Sequence, residues 1–216
     1  MLTLFYCPNA CSMAPHLVLE EGGEKYKPYR VNCAGGEQRS EGYLKINPHA
    51  RVPALGLDDG SYISENIAIL PFLGKRLGLW TDDPLTEARM LSFIGWVAST
   101  VHPAQAHYRR PYRYASDPAT HPDIQRTGLA AFRGYLKEVD GMYSGKEYLF
   151  GKLSVADFYA FVLHTWGIQR GFDMAAEMPH FGAFYRRMMP RPAVQRVFAD
   201  EKIELVPDRP DAPLDR

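Results

Sequence analysis

The sequence predicts an α/β domain over residues 1–78 and an all-α domain over 87–205, with a linker at 79–86 and a tail at 206–216. Strand and helix signals alternate along the first ~80 residues, whereas every strong hydrophobic periodicity beyond the linker is helical. The chain has 216 residues, of which 46% are hydrophobic and 23% are charged. This composition is typical of globular proteins, and the length suits one large domain or two modest ones.

The α/β domain begins with a β-α-β arrangement. Residues 2–6 form a short apolar run that stops at the turn-forming Cys7-Pro8-Asn9, which predicts a first strand. Helical spacing over 13–21, ended by Gly22-Gly23, predicts the first helix. A second strand is expected over 26–31, before a glycine-rich loop.

The same domain continues with a hairpin and a helix. A third strand is expected over 52–57, and Asp58-Asp59-Gly60 is a turn signal that leads into a fourth strand at 62–63. Ser64-Glu65-Asn66 is predicted to cap the next helix at its N-terminus. Pro71 removes one backbone donor from that helix and is expected to kink it.

The second half of the chain shows helical signals throughout. Hydrophobic periodicity predicts one helix over about 88–102 and a long helix over 122–143. Ser154-Val155-Ala156-Asp157 is a variant of the capping box and predicts another helix start. Pro179 and Pro192 each predict the first turn of a short helix, because proline is favoured at the first helical position.

Charge and cysteine content argue against several classes of function. Lys plus Arg and Asp plus Glu each number 25, so the net charge is zero, and the chain lacks the overall basic field of a typical nucleic-acid-binding protein. No apolar run approaches the ~20 residues that span a bilayer, and the N-terminus lacks a signal-peptide pattern. Cys7, Cys11 and Cys33 form neither a disulfide framework nor a zinc-site spacing. We therefore expect a cytoplasmic protein with no metal site, no nucleic-acid partner and no membrane partner.

Cys11 is the first candidate for chemistry because it comes just before the first predicted helix. Unpaired N–H groups and the positive end of the helix dipole favour a thiolate at such a position. Cys7 lies at the end of the first strand, and the C-x-x-x-C spacing differs from the C-x-x-C of a dithiol oxidoreductase. The residues alone leave open the alternative that both cysteines are small buried hydrophobes.

Two other positions are candidates for ligand contact. Glu65 and Asn66 lie at the start of the helix that follows the predicted hairpin. They suit the ammonium and carboxylate of a small zwitterion, or they simply cap the helix. In the helical domain, His102 and His107 could polarise or deprotonate a thiol, or satisfy a backbone carbonyl.

Residues 107–114 combine three arginines with three tyrosines. Basic side chains interleaved with aromatic ones can neutralise and stack on nucleic acid. One short patch in a chain of zero net charge argues against that function. It better suits a solvated loop or the wall of a pocket for an anionic aromatic ligand.

Several motifs occur together in a fixed order along residues 1–200. They are Leu4-Phe5-Tyr6, Ala10-Cys11-Ser12-Met13-Ala14-Pro15-His16-Leu17-Val18-Leu19-Glu20, Tyr43-Leu44-Lys45-Ile46-Asn47-Pro48, Val52-Pro53-Ala54-Leu55, Leu57-Asp58-Asp59-Gly60, Ser64-Glu65-Asn66-Ile67-Ala68-Ile69 and Ser154-Val155-Ala156-Asp157. This ordered combination resembles the glutathione transferases, most closely their bacterial beta class. Each motif alone is weak, whereas the combination is specific.

The resemblance implies a thioredoxin-like N-terminal domain, an all-helical C-terminal domain and a homodimer. It also implies how the co-substrate glutathione binds. Val52, before a cis Pro53, is expected to pair with the cysteinyl backbone of glutathione. Glu65 and Asn66 match the positions that hold its γ-glutamyl end.

The family resemblance also assigns catalytic residues. Cys11 matches the cysteine that faces the glutathione sulfur, and Ser12 beside it is a candidate hydroxyl donor. His102 matches the histidine that reaches the thiol from the helical domain. Here His102 precedes Pro103, where the beta class usually continues with a lysine.

Two binding regions match the family less closely. The usual lysine-containing stretch after the second strand is absent, so Gln38 and Arg39 become the candidates for the glycine carboxylate of glutathione. The hydrophobic co-substrate is expected between the domains, against Tyr108, Tyr112 and Trp166.

The expected activity is conjugation of the glutathione thiolate to small hydrophobic electrophiles, as in detoxification. One alternative is a thiol-disulfide reductase in which Cys11 forms a mixed disulfide with glutathione. The other is a binding protein of this fold without turnover, since a fold does not determine a function.

Overall fold

The first domain is built on a mixed sheet of four strands, which are β1 (Leu2–Tyr6), β2 (Tyr26–Arg30), β3 (Ala54–Gly56) and β4 (Tyr62–Ser64). In the computed structural model, which describes residues 1–204, their spatial order is β2-β1-β3-β4. β1 runs parallel to β2 and antiparallel to β3, and β3 pairs antiparallel with β4. All four predicted strands are confirmed, although β3 is shorter than expected.

Three helices complete this domain, namely α1 (Met13–Gly22), α2 (Glu41–Leu44) and α3 (Asn66–Leu77). α1 ends at Gly23, whose φ of 68° lies in the left-handed region that glycine adopts at low cost. α1 packs against α3. The arrangement of sheet and helices is thioredoxin-like, as predicted.

The start of α3 differs from the prediction. Glu65 rather than Ser64 occupies the N-cap, and no side chain makes a capping hydrogen bond there. Glu65 has a φ of 69°, a conformation that residues other than glycine adopt rarely. Such backbone positions cluster at functional sites. The helix then continues through Pro71 to Leu77.

The second domain is helical throughout the part that the structure describes. Its longer segments are α4 (Pro84–Trp96), a π-helical turn (Val97–Val101), α5 (His102–Arg109), α6 (His121–Tyr143), α7 (Val155–Gln169), α8 (Met174–Glu177), α9 (Pro179–Met188) and α10 (Pro192–Glu201). The helices predicted near Pro122, Pro179 and Pro192 are confirmed. The tail predicted at 206–216 lies outside the described residues. None of the helices in residues 1–204 combines the length and apolar character needed to cross a bilayer.

The linker between the domains is shorter than the predicted 79–86. The Asp83 carboxylate accepts a hydrogen bond from the amide of Thr86 at 2.8 Å, which caps a helix that begins at Pro84. Asp and Pro at successive positions are a strong helix start. The helix expected from about residue 88 therefore begins four residues earlier.

α7 lies at the centre of the core. Its residues from Val155 to Gly167 are all buried, and the predicted capping box of Ser154 and Asp157 is present at its start. The Asp157 carboxylate also accepts a hydrogen bond from the Tyr143 hydroxyl at 3.0 Å. Because α7 packs against α1 as well as against its own domain, the two domains share one hydrophobic core.

α10 fastens the helical domain to the segment that precedes α1. Its Glu201 carboxylate lies 2.8 Å from Nδ1 of the buried His16 and accepts a hydrogen bond from the Asn9 amide at 2.7 Å. The loop between β1 and α1 is thereby held from both domains. That loop carries Cys7, Cys11 and Ser12.

Candidate active site

A cavity with about 450 Å³ of empty space opens between the two domains. Six of the predicted site residues line it together, although they come from four separate segments of the chain. The lining consists of Cys11, Arg51, Val52, Pro53, Glu65, Asn66, Ala98, His102 and Tyr159.

Cys11 lies at the floor of this cavity with its thiol protonated at neutral pH. Burial, together with the negative charge of Glu65, raises the pKa of Cys11 to about 12. Its sulfur donates a hydrogen bond to the carbonyl oxygen of Val52 at 3.4 Å. The position near the start of α1 does not overcome this desolvation, so the expected thiolate does not form and Cys11 is a donor.

Ser12 does not line the cavity, contrary to its expected role beside Cys11. Its fully buried hydroxyl donates to the carbonyl oxygen of Cys7 at 3.1 Å and accepts from the Cys7 amide at 3.1 Å. Both bonds stay within the loop before α1. Ser12 therefore shapes the loop, and its hydroxyl is already engaged.

The Val52–Pro53 segment forms one wall. The peptide bond between the two residues is cis, as the resemblance implied. The hydroxyl of Tyr43 and the side-chain amide of Asn47 each donate to the carbonyl oxygen of Arg51 at 2.8 Å, which holds the segment in place. Since β3 begins only at residue 54, the Val52 amide has no backbone partner within residues 1–204, whereas its carbonyl oxygen already accepts the hydrogen bond from Cys11.

Glu65 and Asn66 form the opposite end of the cavity. The Asn66 side-chain nitrogen donates to the carbonyl oxygen of Cys11 at 3.0 Å, which ties α3 to the loop before α1. The Asn66 side-chain oxygen is buried and has no hydrogen-bond partner within residues 1–204. An orphan acceptor beside the exposed carboxylate of Glu65 is suited to a ligand that brings N–H donors.

His102 reaches the cavity from the helical domain, directly after the π-helical turn. Pro103 has no amide hydrogen to donate to the preceding turn of the helix. One residue earlier, the His102 amide donates to the carbonyl oxygen of Val97, five residues back rather than four. This wide turn lets the helix continue past the proline. The imidazole packs against Trp166 at a ring-centroid distance of 5.1 Å.

The imidazole of His102 is neutral at physiological pH. Burial, and then the positive charge of Arg110, lower the pKa of His102 to about 4. A neutral imidazole has one N–H donor and one acceptor nitrogen. It is therefore able to hydrogen-bond to a thiol or a thiolate without carrying a charge of its own.

The two residues predicted to bind the glycine carboxylate of glutathione, Gln38 and Arg39, lie outside the cavity lining. Gln38 and Arg39 belong to a 3₁₀ turn, Glu37–Arg39, and neither lines the cavity. Arg51 does line it, directly before Val52. A basic residue is thus present, contributed by a different loop from the one expected.

None of the three aromatic residues expected around the second substrate, Tyr108, Tyr112 and Trp166, lines the cavity. Trp166 packs on His102, and its indole nitrogen donates to the carbonyl of Asn9 at 3.2 Å. The Tyr108 ring lies 5.2 Å from the guanidinium carbon of Arg170. Tyr112 is 59% exposed, so it borders solvent.

Sequence reasoning missed three lining residues. Arg51 adjoins the Val52-Pro53 motif, and its position beside that motif was a usable signal. Ala98 and Tyr159 belong to helical stripes that are indistinguishable from core positions in the sequence. Tyr159 is buried on α7, yet its side chain borders the cavity.

A pair of cysteines outside the cavity lining was also missed. Interaction with the neighbouring Cys33 thiol lowers the pKa of Cys7, and burial partly opposes that effect. Cys7 and Cys33 follow β1 and β2, which are adjacent parallel strands. Among the described residues, the acidified thiol therefore belongs to the Cys7–Cys33 pair and not to Cys11.

Two family models match this chain. The N-terminal domain of glutathione S-transferase matches residues 1–75, and its C-terminal domain matches residues 104–192. The chain belongs to the glutathione S-transferase family. The predicted family is confirmed, and the architecture of a thioredoxin-like domain followed by a helical domain is confirmed with it.

Individual relatives support the same assignment over nearly the whole chain. Glutathione S-transferase GstA of Escherichia coli O157:H7 is 26% identical over 209 residues, which is 94% of this chain and 100% of that protein. A glutathione transferase homologue from Sulfitobacter, solved with bound glutathione, superposes with a TM-score of 0.88 at 33% identity and covers 94% of this chain and 99% of its own. The beta-class enzyme of Sphingomonas chungbukensis gives a TM-score of 0.81 at 31% identity, with 92% and 98% covered.

Proposed function

We propose that this protein is a beta-class-like glutathione transferase that conjugates the thiolate of glutathione to small electrophiles. The observation that carries the proposal is the meeting of Glu65, Val52, Cys11 and His102 around one cavity. Each of these residues suits a different part of glutathione. The solved relative from Sulfitobacter contains bound glutathione, which supports the same ligand here.

Glutathione fits the cavity by its charges and by its peptide backbone. The ammonium of the γ-glutamyl end would pair with the carboxylate of Glu65 and donate to the orphan oxygen of Asn66. The cysteinyl backbone would pair with Val52 in the manner of a short strand, which supplies main-chain hydrogen bonds. Arg51 would meet the glycine carboxylate. Under this arrangement, Gln38 and Arg39 have no contact with the ligand.

Conjugation requires the thiolate because the thiol is a poor nucleophile at neutral pH. On glutathione binding, the single S–H of Cys11 would turn from the Val52 carbonyl oxygen to the glutathione sulfur, and the neutral imidazole of His102 would donate a second hydrogen bond. The charge of Arg110 lowers the pKa of Cys11 against the larger effect of burial, so its positive field reaches this position. Hydrogen bonds to charged groups contribute about 1.5–3 kcal/mol each, and two units of pKa correspond to about 2.7 kcal/mol.

The reductase alternative requires Cys11 as a nucleophile, and its raised pKa argues against that role. A thiol with a pKa of about 12 leaves only about one molecule in 10⁵ as thiolate at pH 7. Glutathione, whose own thiol is close to the ordinary value, is the more readily ionised partner. We therefore favour conjugation over a mixed disulfide at Cys11.

The electrophile would lie on the helical side of the bound sulfur, near Trp166, Tyr108 and Tyr112. A homodimer is supported by apolar side chains on α3 and α4 that face solvent in one chain, including Ile67 at 47% and Leu91 at 38% exposure. Cytoplasmic detoxification is the role that we propose for such an enzyme. We propose no metal or other cofactor for this reaction.

Titration calorimetry with glutathione, followed by turnover of 1-chloro-2,4-dinitrobenzene, tests the proposal. We expect saturable binding and release of chloride at a rate above that of free glutathione. Binding without turnover across a panel of electrophiles would favour the non-catalytic alternative. Absence of binding at millimolar glutathione would exclude the proposed ligand.

A further inference from the structure

Three side chains that are able to bind a metal ion meet where α1 packs against α10. His16 and Glu20 are four residues apart on α1, so both side chains lie on one face of that helix. Asp200 comes from α10. One ligand atom of each residue lies within 4.8 Å of those of the other two. We call His16, Glu20 and Asp200 the junction site.

His16 is the least satisfied member of the junction site. Its side chain is fully buried, and its Nε2 atom has no hydrogen-bond partner within residues 1–204. The other ring nitrogen, Nδ1, lies 2.8 Å from the carboxylate of Glu201. A carboxylate accepts the N–H of Nδ1 at that distance, which leaves a lone pair on Nε2 of the neutral ring. This is the arrangement in which a carboxylate orients a histidine that binds a metal.

The Nε2 atom of His16 faces a second carboxylate. It lies 3.9 Å from Oδ2 of Asp200, which is longer than a direct hydrogen bond. A lone pair and a carboxylate repel each other, so a cation between them would satisfy both. Zinc bonds to imidazole nitrogen and carboxylate oxygen at about 2.0–2.2 Å. Because two such bonds sum to about 4.2 Å, one ion reaches both atoms where they stand.

Neighbouring side chains hold the two ligands of α1 in place. The His16 ring packs against the rings of Tyr6 and Tyr26, at centroid distances of 4.9 and 5.9 Å. The Tyr26 hydroxyl donates to Oε1 of Glu20 at 2.7 Å. Outer hydrogen bonds of this kind orient the ligands of metal ions. Each carboxylate oxygen has two lone pairs, so Oε1 is able to bind an ion while it accepts from Tyr26.

Negative charge exceeds positive charge around the junction site. Glu20, Asp200 and Glu201 contribute three formal negative charges. Arg196 is the one arginine or lysine that pairs with any of them in the described part of the chain, and it lies against Oε2 of Glu20. A divalent cation would balance the two charges that remain.

We propose that the junction site binds a divalent metal ion of the zinc type, through Nε2 of His16 and one carboxylate oxygen each of Glu20 and Asp200. Zinc takes nitrogen and oxygen ligands in four-coordinate sites, in which water supplies the fourth ligand. The spacing of cysteines and histidines predicted no metal site. That spacing does not reveal a donor set of one histidine and two carboxylates from opposite ends of the chain.

The ion would join the helical domain to the thioredoxin-like domain. None of its three ligands lines the cavity between the domains, so it takes no part in the proposed conjugation. Through Glu201 it would also reach the loop before α1, because the same carboxylate accepts a hydrogen bond from the Asn9 amide at 2.7 Å.

A proton on Nε2 is the competing account of the same geometry. It would make His16 an imidazolium between the carboxylates of Glu201 and Asp200, and a metal ion would then have no lone pair to bind. The two accounts predict opposite results in a zinc titration.

Titration of the reduced, full-length protein with Zn²⁺ tests the proposal without glutathione or turnover. At micromolar free zinc, we expect one bound equivalent and a higher melting temperature, since an ion that binds only the folded state stabilises it. Asp200→Asn removes the charge of an exposed ligand, and zinc affinity should fall at least about tenfold. Asp82→Asn makes the same change at an exposed position in the loop before α4 and should retain the affinity. Absence of bound zinc, or equal affinity in Asp200→Asn and the unaltered protein, would overturn the inference.

Cobalt and magnesium identify the ligand atoms. Co²⁺ bound to nitrogen and oxygen gives visible d–d bands without the near-ultraviolet charge-transfer band of a cobalt–thiolate bond, and we expect these bands to weaken in Asp200→Asn. A thiolate band would assign the metal to cysteines and overturn the inference. Mg²⁺ prefers six oxygen ligands and should not raise the melting temperature. Equal stabilisation by Mg²⁺ and Zn²⁺ would remove His16 from the site and contradict the proposal. None of these outcomes bears on the proposed transferase activity, which uses other residues.

Discussion

The two walls of the cavity differ in the chemistry that they present. The thioredoxin-like wall offers backbone groups of Val52, a carboxylate at Glu65 and an orphan amide oxygen at Asn66. The helical wall offers the neutral ring of His102 beside Ala98 and Tyr159. Under the proposed function, the first wall would hold glutathione and the second would face the electrophile.

This difference also produces an electrical polarity across the cavity. The charge of Glu65 raises the pKa of Cys11, while the charge of Arg110 lowers it. A glutathione molecule with its ammonium towards Glu65 and its sulfur towards Arg110 follows that field. Under the proposed function, the orientation of glutathione and the activation of its thiol would therefore have a common electrostatic cause.

The largest expected effect distinguishes Cys7 from Cys11. At pH 7, the iodoacetamide labelling rate of Cys7 should exceed that of Cys11 by at least about a hundredfold, because interaction with Cys33 lowers the pKa of Cys7 whereas burial raises that of Cys11. Mass spectrometry of the peptides after brief labelling measures which cysteine reacts first. Cys33→Ala should slow labelling of Cys7, since the stabilising hydrogen bond is lost. Faster labelling of Cys11 would restore the reductase hypothesis and contradict its role as a donor.

Substitution at Glu65 tests the thioredoxin-like wall. Glu65→Gln keeps the shape and removes the charge, and we expect glutathione affinity to fall about thirtyfold through loss of a charge-assisted contact. Calorimetry gives the dissociation constants. Glu138→Gln, an exposed position on α6, is the matched control. Equal affinities for Glu65→Gln and the unaltered protein would remove the γ-glutamyl end from this site.

Substitution at His102 tests the helical wall. His102→Gln should lower kcat about tenfold, with less effect on glutathione affinity, if the ring bonds to the sulfur during the reaction. Because burial holds the pKa of His102 at about 4, the ring is already neutral above pH 5. The pH profile of kcat/KM should therefore lack an inflection near 6.5 that is attributable to His102. The unaltered enzyme and His102→Gln should have profiles of the same shape in that region. Such an inflection would mean that the ring titrates in the site.

A smaller effect is expected at the glycine end of glutathione. Arg51→Gln should weaken glutathione binding about fivefold, since an exposed ion pair contributes up to about 1 kcal/mol. Arg39→Gln should leave the dissociation constant within error. The opposite pattern would return the glycine carboxylate to the 3₁₀ turn at Glu37–Arg39.

The thioredoxin-like wall was largely predictable from the sequence because its contacts lie in short contiguous motifs. Val52-Pro53 and Glu65-Asn66 each place neighbouring residues in one site, and the turn chemistry around them is local. The conformation of Glu65 was not predictable in this way. Its φ of 69° is not encoded by any glycine, and Ser-Glu-Asn alone resembles an ordinary cap.

The helical wall was predicted less completely, for a physical reason. Tyr159 lies in a helix that is buried on almost every side, so its hydrophobic pattern is the same for core and cavity positions. The π-helical turn before His102 is likewise a response to Pro103 that periodicity does not reveal. The low pKa of Cys7 requires Cys33 beside it, which follows only from the adjacency of β1 and β2.

The most direct test of the account is the pKa of the glutathione thiol in the complex. The ultraviolet absorbance of the thiolate, followed against pH, gives this value. The spectrum of the same protein bound to S-methylglutathione is subtracted to remove the absorbance of the protein's own cysteines. We predict a pKa about two units below the ordinary thiol value of about 8.5, with most of the shift lost in His102→Gln. An unchanged pKa in a saturated complex would show that the cavity binds glutathione without activating it, and would contradict the account.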